Sequence, residues 1–161
     1  MAKVIRHQIA DYLNTASSGD ATYSLMGTGY TALDENPSAK VDNTAYVSDK
    51  ASSATITGYE NSFKFDSQLI SDDATIAYLY SIGRDQKTGS DAETDYVRVD
   101  LFDADSSGAY KARKFRVAVE ISSISGAGNE IVKVSGSLHQ IGDAVQGTFN
   151  PTNKTFTASS T

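Results

Sequence analysis

A mainly β fold carrying a single helix is what this sequence predicts, and three observations carry the prediction. Apolar and polar residues alternate at period two over several long segments. One segment, following Ser71, shows a capped helical spacing, and Gly-, Asn- and Asp-rich turns separate much of the rest. At 161 residues the chain is expected to form one domain, 1–161, long enough to bury a core without staples.

The elements follow in chain order. Segment 1–22 reads as an amino-terminal arm: Ile5, Ile9 and Leu13 recur every four residues, but the polar run Thr15 to Thr22 follows. That pattern suits either a short helix or an arm that orders on contact with a neighbour. Tyr23 to Leu33 reads as one strand, with Gly27 and Gly29 inside it where backbone packs closely on a neighbour. Asp34 to Ser52 (34–52) reads as a projecting loop, rich in small polar residues and containing Pro37. Ser53 to Phe65 is read as the next strand. A helix is expected over 71–82: Ser71, Asp72 and Asp73 supply a cap and first-turn acids, Ile76, Leu79, Tyr80 and Ile82 form the apolar face, and Gly83 stops it.

Three strands with one apolar face come next. Val97, Val99 and Leu101 alternate with Tyr96, Arg98, Asp100 and Phe102. Phe115, Val117, Val119 and Ile121 alternate with Arg116, Ala118, Glu120 and Ser122, and Ile131 to Gln140 places Val132, Val134 and Leu138 opposite Lys133, Ser135, Ser137 and His139. Asp103 to Gly108 and Ser125 to Asn129 carry hairpin turn chemistry. The tail, 151–161, reads as a strand with a frayed end.

Composition excludes several kinds of chemistry. With no Cys and two His, disulfides, thiolate zinc sites and cysteine nucleophiles are ruled out. A formal charge of −6 argues against gripping nucleic acid through phosphate neutralisation. Arg6, His7 and Asp11 interrupt the amino end, so no export signal or membrane span is read there, and the chain is expected to be soluble and bind no membrane by itself. Asp103-x-Asp105-x-Ser107-Gly108 matches the opening of a calcium loop, but Lys114 stands where the bidentate acid belongs and no helices flank it. Gly27-Thr28-Gly29 lacks the third glycine of a dinucleotide fingerprint. His139 with Glu120 or Asp143 has no nucleophile motif to serve, so no enzyme, metal or cofactor is expected.

The ordered set of segments nevertheless has a family look. Tyr23-Ser-Leu-Met-Gly-Thr-Gly-Tyr30, Asn36-Pro37, Ala45-Tyr-Val-Ser-Asp-Lys50, Thr57-Gly-Tyr59, Phe63-Lys-Phe65 and Asp73-Ala-Thr-Ile76 through Gly83 resemble the major tail tube proteins of long-tailed (siphovirus-type) bacteriophages. The likeness continues through Tyr96 to Leu101, Tyr110 to Glu120, Ile131 to Gly136 and Gly147 to Phe149, covering roughly residues 5 to 157.

That resemblance implies a β-sandwich or half-barrel of two packed antiparallel sheets with one flanking α-helix. It implies a structural virion protein, made in the host cytoplasm, whose hexameric rings stack into a hollow tail tube through which phage DNA passes unbound. Its implied partners are further copies of itself, a tape-measure protein, and tail-tip or distal-tail and tail-terminator proteins. By the same resemblance Asn36, Pro37, Tyr46, Asp49 and Lys50 in the long loop, and Ile9, Tyr12 and Leu13 in the arm, contact neighbouring subunits. Acids facing the pore would repel phosphate, and Asp100 and Glu120, on the polar sides of their strands, are the lumen candidates. The inner tube of a contractile tail or injection apparatus is the nearest alternative. A carbohydrate-binding β-sandwich is a more distant one, since it is expected to carry an export signal and exposed aromatic platforms, often Trp, and neither signal nor Trp is read here.

Overall fold

The computed structural model describes residues 2–16, 18–105 and 107–159. Met1 of the expected arm, Ser160 and Thr161 of the expected tail, Ser17, and Ser106 of the 103–108 turn lie outside the described residues. The strands are β1 (Ile9–Asn14), β2 (Tyr23–Leu25), β3 (Tyr30–Asn36), β4 (Ala39–Thr44), β5 (Ser53–Tyr59), β6 (Ser62–Gln68), β7 (Glu93–Ala104), β8 (Tyr110–Ser125), β9 (Lys133–Asn150) and β10 (Thr155–Ala158). One α-helix, α1 (Ala74–Arg84), joins β6 to β7, with short 3-10 turns at Arg6–Gln8 and Gly89–Ala92.

Eight strands form one antiparallel sheet in the order β2-β1-β7-β8-β9-β6-β3, with β10 on β9. The sheet is strongly curled. Phe63 on β6 and Tyr96 on β7 are separated by two strands, a distance of about 14 Å in a flat sheet at ~4.8 Å per strand. Their ring centroids lie 4.6 Å apart, and Phe115 on β8 meets Phe63 edge-on at 4.9 Å. The result is the half-barrel expected of the sequence, a sheet whose two halves pack on each other. Leu13, Leu33, Phe65, Val117, Val134 and Leu138 fill the remaining interior. The opposite face of the long strands buries a second cluster, where Tyr12, Val97, Val99 and Ala112 gather around Phe149.

The helix covers the first core. Asp73 is its cap: Oδ1 accepts from the Thr75 and Ile76 backbone N–H groups, both at 3.1 Å. Ile76, Leu79 and Ile82 are buried beneath it, each contributing about 1.5–3 kcal/mol. That burial holds a helix too short to persist alone. Gly83 lies inside the helix and does not end it; a Cβ there would stand 2.7 Å from Ile121 Cγ2, so the glycine serves close packing on β8.

Several expectations are corrected. Ile5 to Leu13 forms a 3-10 turn followed by a strand, because Asp11, Tyr12 and Leu13 are all buried and β1 pairs with both β2 and β7. Tyr23 to Leu33 is two strands. Gly27 to Gly29 make the turn between them, closed by Tyr30 N–H to the Gly27 carbonyl at 3.1 Å, and Gly29 has φ +91°. A Cβ on Gly29 would meet Ile70 and Ile76, so close approach does explain that residue. The expected loop 34–52 begins inside β3, contains all of β4, and reaches β5 through the tip 45–52. Ser53 to Phe65 likewise divides at Glu60 and Asn61 into β5 and β6, which belong to different sheets.

Gly136, on β9 opposite Ile121 and Phe65, marks the tightest point of the wall: a Cβ there would collide with the Glu120 carbonyl oxygen. Gly136→Ala is expected to cost about 1–3 kcal/mol through overpacking. Gly128→Ala, with open space around it, should change stability by less than about 0.5 kcal/mol. Urea unfolding of the two variants checks the contrast.

Candidate assembly surface

Strands β4 and β5 form a second, two-stranded sheet outside the curled one. Every residue of β4 and all but Gly58 of β5 are exposed. The register gives this ribbon two unlike faces. Ala39 opposes Tyr59, Val41 opposes Ile56 and Asn43 opposes Ala54 on one face, while Asp42 with Thr55 and Thr44 with Ser53 share the other with Lys40. Val41, Ile56 and Tyr59 are each more than half exposed, and Tyr46 and Val47 stand at the tip. A two-stranded ribbon is marginally stable alone in water. An apolar face on one invites a partner.

The tip is locally fixed. Asp49 Oδ2 accepts from the Tyr46 N–H at 2.9 Å, and the Asp49 N–H returns to the Tyr46 carbonyl at 2.9 Å. Lys50 is exposed beside it, and Asn36 and Pro37 are exposed at the root. All five expected loop residues therefore lie on the hairpin, Asn36 and Pro37 at its base and the other three at its tip. Val41, Val47, Ile56 and Tyr59 escaped the sequence reading, although the alternation in Thr55-Ile56-Thr57 was a signal for them.

The root is tied to the barrel. Arg113 Nη1 and Nη2 donate to Glu35 Oε2 and Oε1, both at 2.9 Å, and Asn61 Nδ2 donates to Oε2 at 3.3 Å. Burial pushes the Glu35 carboxyl up, but the Arg113 hydrogen bonds and charge, with Arg98 and Asn61, outweigh it and hold the group below its usual range.

A second unpartnered surface is concave. β2 covers only the last half of β1. The uncovered half faces β3 across a groove of about 640 Å³, lined by Ile5, Ile9, Leu25, Met26, Ala32 and Leu33 among others. Arg6 spans this seam, donating to Asp11 Oδ2 at 2.7 Å and to the Leu33 carbonyl at 3.2 Å. The buried Tyr96 hydroxyl donates to Asp11 Oδ1. Burial, then the Asp11 charge, raise that hydroxyl well above its ordinary pKa, so it remains a donor. Ile9 keeps partial exposure in the groove. Tyr12 and Leu13 do not: at 6% and 0% exposure they belong to the subunit's own two cores.

The lumen candidates separate. Asp100 pairs with Lys111, which shares a face of β8 with Phe115, whereas Glu120 lies on the opposite face. One pore wall cannot present both. Glu120 is exposed and meets His139 Nε2 at 2.7 Å. With it on that outward face stand Glu93, Asp95 and Arg116, which pair at 3.7 and 3.4 Å, and Asp34, Lys64 and Asp66. Asp100 is half-buried on the barrel side, near Arg113.

Three solved structures share this architecture. The SPP1 tail tube superposes with a TM-score of 0.70 at 14% identity, covering 94% of this chain and 83% of that one. The tail of an empty gene transfer agent particle, refined with C6 symmetry, gives 0.63 at 11% identity over 97% of this chain and 100% of that one. The virion of a native gene transfer agent particle gives 0.62 at 10% identity over 97% and 100%. No family model and no curated protein matches the sequence. The fold is that of phage tail tube proteins: mainly β, a curled half-barrel with one helix and a second small sheet.

Because the folded carboxyl of Glu35 titrates below its unfolded value near 4.5, its ion pair stabilises fully above that pH and is lost as pH falls through the folded pKa. Unfolding of Glu35→Gln, compared with the parent between pH 7 and pH 3, should show a smaller loss of stability on acidification. Equal losses would remove Glu35 from the pH response.

Proposed function

We propose that this chain is a structural subunit that stacks as hexameric rings into a hollow phage tail tube, through which DNA passes during infection. The observation that carries the reading is the β4–β5 hairpin, which presents Val41, Ile56, Tyr59, Tyr46 and Val47 to solvent with none of the described residues covering them. The shared fold with tail structures supports it, one of them refined with six-fold symmetry. A convex apolar hairpin and a concave apolar groove on one chain are different surfaces, so their contacts would be heterologous. Heterologous contacts close into rings or run on as filaments.

Lateral contact in a ring would also satisfy the free edges of β2, β3 and β10, which as exposed strand edges invite uncontrolled pairing. The outward face of β8, β9 and β6 is our candidate for the pore wall. Its carboxylates Asp34, Asp66, Glu93, Asp95 and Glu120 exceed by one its fixed cations Lys64, Lys114, Arg116 and Lys133. Repeated around a ring, that excess repels phosphate at close quarters and lets DNA slide. A tape-measure protein filling the same pore before DNA, and tail-tip and terminator proteins at its ends, are the partners this role requires.

Negative-stain electron microscopy of the purified chain over a concentration series, with sedimentation of the same samples, tests the reading. Hollow tubes or six-membered rings are expected. Monomers at every concentration, with and without an added tail-tip complex, would overturn it. Replacing Ala39–Tyr59 by a short Gly/Asn turn between Ser38 and Glu60, already joined by a 3.2 Å backbone hydrogen bond, should leave a folded subunit that forms no tubes.

A further inference from the structure

The two legs of the hairpin converge on one side chain of the barrel. Glu35 precedes Asn36 and Pro37, where the chain leaves the large sheet, and Asn61 precedes β6, where it returns. Arg113 of β8 grips the first leg through both Glu35 oxygens and reaches the second through the Asn61 amide that shares Oε2. Gln140 of β9 completes the base: its Oε1 accepts from Asn61 Nδ2 at 3.1 Å, its backbone N–H donates to the Asn61 carbonyl at 3.0 Å, and its Nε2 donates to the Gly142 carbonyl at 2.8 Å. The Phe115 ring lies 5.3 Å from the guanidinium and supports its plane.

Beyond this base the hairpin is exposed on both faces, so its direction is set at the root. The geometry makes that a long lever. Six residues of β4 span about 20 Å, so a tilt of about 10° at the base moves the tip by roughly 3 Å. Dispersion contacts lose a quarter to a half of their depth over a gap of about 0.5–1 Å. A tip that must pack on another molecule cannot tolerate such a tilt.

We propose that Arg113 is a positioning residue for assembly, aiming the hairpin by locking the carboxylate plane of Glu35 and, through Asn61, both legs together. A planar two-pronged donor fixes orientation as well as distance; a lysine ammonium fixes distance alone. The consequence for tubes rests on the assembly reading above, whereas the aim itself is a property of the single chain and is measured there.

The chain has no Cys, so spin labels at Val47→Cys on the tip and Ser123→Cys on β8 report one distance by pulsed dipolar spectroscopy. Arg113→Lys and Glu35→Gln should each at least double the width of that distance distribution while the far-UV circular dichroism stays native. Each should also raise the concentration at which tubes appear by tenfold or more. The exchanged pair Arg113→Glu with Glu35→Arg should restore a narrow distribution. Should Arg113→Lys fail to fold, Glu35→Gln and the milder Gln140→Ala carry the same comparison. Widths equal to the parent's in folded variants would overturn the proposal, as would broadened widths with unchanged assembly. Broadened widths in a chain whose parent forms no tubes would retain the aiming role and reject the tube.

Discussion

The packing of Phe63 against Tyr96 and Phe115 is the constraint on which the rest depends. Phe63 comes from a strand hydrogen-bonded to neither β7 nor β8, so its contacts with Tyr96 and Phe115 require the sheet to bend through β8 and β9. Once it bends, β3 is carried toward β1. That creates the seam bridged by Arg6 and brings Glu35 within reach of Arg113. The hairpin root, the groove and the polar outward wall are thus products of one curvature. Gly136 permits it by allowing β8 and β9 to close without a side chain between them.

Curvature also divides the labour of the long strands. β9 pairs with β6 along its first part and with β10 along its last, while its other edge stays on β8 throughout. Inner-face residues Val134 and Leu138 serve the helix-covered core, and Phe149 serves the second core. Strands of ordinary length could not join two cores in this way; those here run to 16 and 18 residues.

The legible parts of the sequence were those where one face is wet. Phe115, Val117 and Val119 alternate cleanly with solvated neighbours, and α1 has a capped, one-sided pattern, so a strand and a helix are legible there, the helix expected over 71–82 spanning Ala74–Arg84. The arm was not. β1 buries Asp11, Tyr12 and Leu13 in succession because its two faces meet different cores, and a buried carboxylate held by Arg6 and Tyr96 looks like a surface residue in sequence. The hairpin was hidden for the opposite reason. β4 has one large apolar residue among polar ones and every one of its residues is exposed, so no alternation marks it as a strand. Of the expected contacts, the hairpin residues lie on exposed surface while Tyr12 and Leu13 lie within the chain. Arg113, Glu35 and Asn61 carry no sequence signal, because strands far apart in the chain bring them together.

The exposed length of the hairpin between its locked root and its tip has a mechanical meaning. A two-stranded ribbon flexes more readily than an eight-stranded curled sheet, so if rings are joined through such ribbons, each ring behaves as a stiff vertebra and each ribbon as the joint between vertebrae. Bending is then shared among many small hinges, and no subunit need open its core for the whole to curve. Such a tube would flex along its length while keeping a constant bore.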